Sequence, residues 1–137
     1  MPRKAEMLPD TNVVLRYLLR DIPEQFTQAA DFFEQVRTGG KKVVFLESVL
    51  VECIYILTRY YNVPKKEAAE ALAGLMHYKG VVNSDKAALS SALALYGENN
   101  LDPVDCVLLA RARHDAMQVF SFDKALVKAA AKAPSRM

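Results

Sequence analysis

The sequence predicts an α/β fold in which a small parallel β-sheet of about four or five strands is flanked by helices on both faces. Short apolar runs alternate with longer segments of helical periodicity, which is typical of parallel strands joined by crossover helices. The chain has 137 residues, of which 52% are hydrophobic, so it can fill one core of ordinary size. We therefore expect a single domain over residues 1–137, with a sheet kept small by the helix-rich second half.

The first half of the chain contains clear start and stop signals for helices. Pro23 suits the first turn of a helix, because its φ is already helical and its missing N–H has no helical partner there. Gly39 follows that helix, where a left-handed residue commonly ends one. The predicted elements are a strand that ends at Asp10, a helix over 12–20, a helix from Pro23 to the turn at 38–40, a strand over 42–46 and a helix capped by Ser48 that runs to about Tyr61.

The second half alternates helices with two brief strands. Asp102-Pro103 is a clear helix start, with an N-cap acid followed by a proline in the first helical position. Asp123 follows an apolar run and can cap the last helix. The predicted elements are a helix over 65–78 opened by Pro64, a strand over 81–83, a helix over 86–98 capped by Ser84 or Asp85, a helix over 103–116, a strand over 118–121 and a helix over 124–131.

Four acids occupy positions where a carboxylate is costly or well placed for chemistry. Asp10 and Asp123 each follow a predicted strand, and the carboxyl ends of parallel strands meet at one edge of a sheet. Glu52 and Asp105 lie at the edges of apolar helix faces, where an unpaired carboxylate would lose roughly several kcal/mol of hydration. Clustered carboxylates raise one another's pKa unless a cation lies among them. Mg²⁺ or Mn²⁺, which takes oxygen ligands, would offset that repulsion and support cleavage of a phosphodiester bond.

Each of these acids also has a purely structural interpretation. A salt bridge or simple partial exposure would satisfy Glu52 or Asp105, and the first turn of a helix favours an acid at Asp105. Asp123 could serve only as an N-cap, and the N-cap is the interpretation that we favour for Asp102. The arginines that could form those salt bridges are Arg59, Arg111 and Arg113.

Composition argues against several other kinds of site and segment. Cys53 and Cys106 are far apart, so they do not form a zinc signature and are expected to be buried thiols. His77 and His114 have no His or Cys at ligand spacing.

No apolar run approaches the roughly 20 residues needed to span a bilayer, and residues 1–6 lack the apolar stretch of a signal peptide. We therefore expect a soluble cytoplasmic protein. The net charge of +2 neither demands nor excludes a nucleic-acid partner.

Four short motifs carry a resemblance to a known family. They are Asp10-Thr11-Asn12-Val13, Glu52-Cys53-Ile54-Tyr55, Asp105-Cys106-Val107-Leu108 and Ser121-Phe122-Asp123-Lys124. In this order, and at this chain length, they make the sequence similar to the PIN-domain nucleases, and within these to the VapC-type toxins of toxin–antitoxin pairs. The resemblance covers nearly the whole chain. It implies a PIN-like parallel sheet, Mg²⁺- or Mn²⁺-dependent endoribonuclease activity, a homodimer, and an antitoxin that blocks the site.

The same resemblance implies roles for individual residues. Asp10, Asp105 and Asp123 would hold the metal directly or through water, and Glu52 would complete the acidic cluster. The supporting residues would be Asn12, which orients Asp10 by hydrogen bonding, and Thr11 and Ser121, which position water or phosphate.

Pro9 departs from the family pattern, which usually has an apolar residue with a free N–H before the first acid. A proline cannot donate a hydrogen bond to a sheet, and the first strand of this fold is central. Either the first strand ends before Pro9 or it is locally irregular there.

Two other functions stay open at this point. A PIN-type RNA-processing nuclease without an antitoxin would share the four acids. A non-catalytic module that binds RNA or protein would keep the fold, although the presence of all four acids speaks against it. A phosphohydrolase of the haloacid-dehalogenase kind is disfavoured, because that class needs an acid where Asn12 stands.

Basic side chains could bind the phosphates of an RNA backbone. The candidates are Arg16, Arg20, Lys41, Lys42, Arg111 and Lys124.

Overall fold

The computed structural model describes Ala5 and residues 7–132, and this part of the chain is mainly helical. The helices lie where the sequence predicts helices. They are α1 (Thr11–Leu19), α2 (Pro23–Thr38), α3 (Glu47–Tyr55), α4 (Lys65–Met76), α5 (Lys86–Glu98), α6 (Pro103–Asp115) and α7 (Lys124–Ala131), and a π-helical turn (Ile56–Tyr60) continues α3.

The helix ends follow from residues that favour them. Asp10 and Asp123 precede α1 and α7, and their carboxylates accept hydrogen bonds at 3.0 Å from the N–H groups of Val13 and Leu126. Both α2 and α6 begin with a proline, as predicted. Gly39 ends α2 with a φ of 89°, a backbone conformation that glycine adopts without a steric penalty.

The start of α3 differs from its prediction. Leu46 occupies the N-cap position with extended backbone, and Glu47 is the first helical residue, so Ser48 lies inside the helix and does not cap it. The backbone of Phe45, just before this start, is bonded on both its N–H and its C=O by the side chain of Asn83. Contacts with a distant segment therefore keep the chain extended up to Leu46, and a local capping signal could not reveal them.

Three segments run parallel inside the molecule, but they form isolated bridges and not the predicted sheet. Met7 pairs with Val43, and Val43 pairs with Val81, both in parallel orientation. The N–H of Val43 donates to the carbonyl oxygen of Gly80 at 2.8 Å, and that of Val82 donates to the carbonyl oxygen of Val43 at 2.9 Å. The parallel pairing agrees with the expected α/β class, whereas a sheet of four or five strands is not confirmed within residues 5 and 7–132.

The place of the first bridge accounts for Pro9. The carbonyl oxygen of Met7 accepts a hydrogen bond of 3.2 Å from the N–H of Val44, and this pairing comes before Pro9 in the chain. Pro9 is buried beyond it, so its missing N–H removes no bond between paired segments. Of the two alternatives, the structure favours pairing that ends before Pro9, and Asp10 still reaches the N-cap position of α1.

The strand predicted over 118–121 is wrong. These residues adopt no regular secondary structure, and Phe120 is 89% exposed. The apolar run suggested a buried strand, but a strand also needs a neighbour that pairs with its N–H and C=O groups. The described part of the chain shows no such partner at this position.

The core lies between the helices and the three paired segments. In the described part of the chain, α1 packs on α2 and α3, and α5 packs between α4 and α6. Phe33, Phe45 and Leu72 are among its large buried side chains. Cys53 and Cys106 are buried free thiols, as expected. Within the described residues, no helix is both long and apolar enough to cross a membrane.

Candidate active site

Asp10 and Glu52 face the same region, where α1 begins beside α3. Thr11, the first residue of α1, is buried, and its hydroxyl donates a hydrogen bond to Oε1 of Glu52. Burial raises the pKa of the Cys53 thiol to about 12, and the charges of Glu52 and Asp10 add to this increase. A single thiol therefore lies close enough to both carboxylates to respond to their charges. Its raised pKa keeps it protonated, so it is not a nucleophile.

Glu52 is exposed, which corrects the expectation that it lies at the edge of a buried helix face. The residues of α3 that enter the core are Leu50, Cys53 and Ile54, and this register turns Glu52 outward. The loss of hydration inferred from the sequence therefore does not apply to Glu52. The bond from Thr11 fixes its orientation instead.

Asp105 lies in the first turn of α6 and is half-buried, as expected. Burial raises its pKa above the usual value for an aspartate, and the charges of Asp123 and Asp102 raise it further. Asp102 occupies the N-cap position of α6, but its side chain makes no capping hydrogen bond. Asp102 thus stands at the predicted N-cap position but does not cap the helix with its side chain. Its carboxylate instead contributes to the negative charge near Asp105.

Asp123 is held in place from two sides. Its carboxylate caps α7 through the N–H of Leu126, and its own N–H donates a hydrogen bond of 3.0 Å to Oγ of Ser121. Ser121 therefore fixes the turn that carries Asp123. The sequence had suggested water or phosphate as the partner of this hydroxyl.

The structure brings the acids together in two groups. Asp10 and Glu52 form one, and Asp105 and Asp123 form the other together with Asp102. Within residues 5 and 7–132, no three His, Cys, Asp or Glu side chains lie close enough together to hold a metal ion. The helices α3 and α6, which carry Glu52 and Asp105, nevertheless pack against each other.

The salt bridges proposed as structural alternatives are not formed. Across the described chain, none of the four acids of the candidate site has a Lys or Arg partner. Arg59 lies over the ring of Tyr55 at 4.3 Å. Arg113 donates to a backbone carbonyl of α7, and Arg111 binds two other carboxylates.

A cleft of about 650 Å³ opens beside Asp10, between α1 and α2. Asp10, Asn12 and Arg16 supply its charged and polar groups near α1, while Pro9 and Phe32 are among its apolar residues. Asn12 is exposed, and the hydrogen bond that Asp10 accepts comes from the backbone N–H of Val13. The suggested bond from Asn12 to Asp10 therefore stays a prediction.

A charged network that the sequence did not reveal holds α6 against the start of α3. Arg111 of α6 donates to Oε1 of Glu47 at 2.7 Å and to Oδ2 of Asp85 at 2.9 Å. Asn83 donates to the other oxygen of Asp85 at 3.0 Å. The network ties α6, which carries Asp105, to the helix that carries Glu52. The one signal in the sequence was the polar Asn83 after an apolar run, which we assigned to a strand.

Replacing Asp85 by asparagine is expected to destabilise the protein in a pH-dependent way. Burial raises the pKa of Asp85, but hydrogen bonds from Asn83 and Arg111 outweigh it and lower the pKa overall. Asp85 therefore contributes stability above its unfolded pKa of about 4, and this contribution is lost as the pH falls through its folded pKa. Near neutral pH we expect Asp85→Asn to lose about 1–2 kcal/mol of unfolding free energy by urea denaturation.

The matched control is Asp31→Asn on the exposed surface of α2, where the carboxylate only accepts a bond from Gln35. This control should differ little from the wild type at any pH. A loss in Asp85→Asn that stayed constant below about pH 4 would contradict the assigned ion pair.

Three of the six basic residues suggested for a phosphate track already have polar partners. Arg16 pairs with Asp21 at 3.2 Å, and Arg111 belongs to the network described above. Lys42 donates to the carbonyl oxygen of Gly39. Lys124 is exposed and directly follows Asp123, so it is the basic candidate best placed beside the acids.

Comparison with known proteins identifies a family that matches nearly the whole described chain. A family model described as "PIN domain" matches residues 7–132, a range that includes all four acids. A protein of Aquifex aeolicus (strain VF5) called VapC ribonuclease is 25% identical to this chain over 122 residues, which are 88% of this chain and 90% of that protein. No solved structure gives a significant match.

Proposed function

The chain belongs to the PIN-domain family, and from this membership we propose that it is a metal-dependent endoribonuclease that hydrolyses phosphodiester bonds of RNA. Asp10, Glu52, Asp105 and Asp123 are its catalytic residues, and the three aspartates hold Mg²⁺ or Mn²⁺ directly or through water. One observation carries the proposal. The half-buried carboxylate of Asp105 is near enough to Asp123 and Asp102 for their charges to raise its pKa, and no cationic side chain of the described chain pairs with it.

The chemistry of these side chains suits a hard divalent cation, and because no three of the described acids lie close enough to share one ion, bound water would supply part of its coordination. They offer carboxylate oxygens, which Mg²⁺ and Mn²⁺ prefer, and a cation would relieve the repulsion that raises the pKa of Asp105. The three aspartates stand at the N-cap of α1, in the first turn of α6 and at the N-cap of α7. A bound ion would supply a water of lowered pKa and would neutralise charge on the scissile phosphate.

The remaining polar side chains orient these acids. Thr11 occupies Oε1 of Glu52, which leaves Oε2 to accept a proton from the attacking water. Ser121 fixes the backbone of Asp123, and Leu126 binds Oδ1 of that residue, which leaves Oδ2 for the site. Each contact limits how far a carboxylate must reorganise when RNA is bound.

We also propose that the protein acts as the toxin of a toxin–antitoxin pair and works as a homodimer in the cytoplasm. The relative called VapC ribonuclease, which the chain covers almost end to end, supports the VapC-type assignment from which the toxin role is proposed. An antitoxin would then cover the four acids and block access of RNA to them. Induced expression should arrest growth, and co-expression of the protein encoded by the neighbouring gene should relieve the arrest. Continued growth without any such partner would favour an RNA-processing nuclease.

The purified protein is expected to cut circular single-stranded RNA when Mg²⁺ or Mn²⁺ is added. A circular substrate has no ends, so its linearisation on a denaturing gel shows endonucleolytic cleavage directly. Removal of the ion with a chelator should stop the reaction, and renewed addition should restore it. Intact circles with every divalent ion tested would contradict the proposed activity.

A further inference from the structure

We propose that Phe120 and Phe122 form a stacking platform for unpaired nucleobases beside the candidate active site. The inference rests on the proposed function and extends it, because it describes how a single-stranded stretch of RNA would be held next to Asp123. The sequence had assigned Phe120 to a buried strand, so the platform was not foreseen.

The two rings are almost fully exposed. Phe120 is 89% and Phe122 is 92% exposed, which leaves two large apolar side chains in water. Their ring centroids lie 5.4 Å apart with an angle of 66° between the planes, so the edge of one ring meets the other and free ring faces remain. Large apolar groups exposed together on a soluble domain commonly mark a binding surface.

The pair is fixed relative to the acids. Phe122 directly precedes Asp123, and the residue between the two rings, Ser121, accepts the N–H of Asp123. Asp123 in turn caps α7, and α7 packs on α6, the helix that carries Asp105. The rings therefore stand one and three residues before a catalytic aspartate on an anchored turn.

The exposed lysines of α7 favour a nucleic acid over a protein as the occupant of the rings. Lys124, which is two residues after Phe122, and Lys128 are exposed and four residues apart on α7, so they lie on one face of that helix. Protein–protein interfaces are depleted of lysine at their centres. Aromatic rings next to basic side chains are instead the usual combination for single strands, in which bases stack on the rings and phosphates face the cations.

A single-stranded region is the form of RNA that such a pair can hold. In a duplex the bases already stack on one another, and their faces are not available to a side chain. The platform thus predicts that the protein selects loops, bulges or ends. It also predicts that affinity falls with rising salt because of the lysines.

The test measures binding of a fluorescein-labelled oligoadenylate by anisotropy, with a chelator present so that the RNA is not cut. Replacing either ring by alanine should raise Kd about tenfold, and replacing both should raise it about 30- to 100-fold. Phe120→Trp should retain affinity, since it keeps a stacking surface. The same strand annealed to oligouridylate should bind equally to all variants. In cleavage assays with metal, the double variant should raise KM and leave kcat nearly unchanged.

The matched control is Tyr60→Ala, which removes another exposed aromatic ring that is 74% exposed and also pairs edge-on with a neighbour. This variant should bind like the wild type.

Equal affinity of the double variant and the wild type for the oligoadenylate would overturn the platform. Cleavage of circular RNA would in that case still support the nuclease. A change of oligomeric state of the double variant in sedimentation would overturn it in favour of a protein contact. Ring-dependent binding by a protein that cuts no RNA would keep the platform and reject the nuclease.

Discussion

The Asp105→Asn variant is expected to lose RNA cleavage by about a hundredfold to ten-thousandfold, which corresponds to several kcal/mol of lost metal-assisted stabilisation. The same change should raise the melting temperature of the metal-free protein. Asp105 is half-buried beside Asp123 and Asp102, so an uncharged amide there removes both a desolvation cost and a repulsion. A higher melting temperature together with a lower cleavage rate would show that Asp105 serves catalysis at a cost in stability.

The gain in melting temperature should depend on pH in a defined direction. The folded-state pKa of Asp105 is raised, so the folded protein holds this proton more tightly than the unfolded chain does. Below the unfolded pKa of about 4, Asp105 is protonated in both states and costs the folded wild type no stability. The folded wild type loses stability as the pH rises through the folded pKa, because the buried carboxylate then becomes charged. Wild type and Asp105→Asn should differ most near neutral pH and should melt together in acid.

The matched control for this experiment is Glu24→Gln in the first turn of α2. Glu24 is exposed and, like Asp105, interacts favourably with the positive end of its helix. Its loss should slightly lower the melting temperature and leave cleavage unchanged. A lower melting temperature of Asp105→Asn would show that the helix dipole, and not repulsion, dominates at Asp105. Full activity of that variant would remove Asp105 from the catalytic set.

The features that could be predicted from the sequence are those decided by neighbouring residues. Pro23 and Gly39 bound α2 because each has a backbone preference that does not depend on distant contacts. Asp10 and Asp123 cap α1 and α7 for the same reason. The positions of the candidate site's aspartates follow the same rule, because all three stand at or near helix starts.

The predictions that failed concern residues whose structure is decided by contacts with segments far away in the chain. The run over 118–121 has the composition of a strand, but no described segment pairs with it. The orientation of Glu52 was misjudged because Leu50 and Ile54 enter the core, and only packing decides which face of an amphipathic helix turns inward. Asn83 was assigned to a strand, and its side chain in fact bonds a backbone that lies 38 residues away.

The Asn83→Leu variant is expected to lose about 2–4 kcal/mol of unfolding free energy, the largest effect on stability that we predict. Asn83 is buried and accepts the N–H of Phe45 at 2.9 Å, while its amide donates to the carbonyl oxygen of the same residue at 2.8 Å. The side chain of Asn83 thus bonds the backbone of Phe45 as a neighbouring strand would, two residues after the bridge between Val43 and Val81. Leucine has a similar volume but leaves both backbone groups of Phe45 buried without a partner.

Asn99→Leu is the matched control, because the amide of Asn99 also donates to a backbone carbonyl, that of Leu95 at 2.9 Å, but on the exposed surface. There water replaces the lost bond, and urea denaturation should show a change within about 0.5 kcal/mol. Equal losses in the two variants would mean that the bonds of Asn83 add nothing beyond an ordinary surface contact. A second measurement follows from the bond between Asn83 and Asp85. In the Asn83→Leu background, Asp85→Asn should cost less than it does alone, since one of the bonds that stabilise the charged Asp85 is already gone.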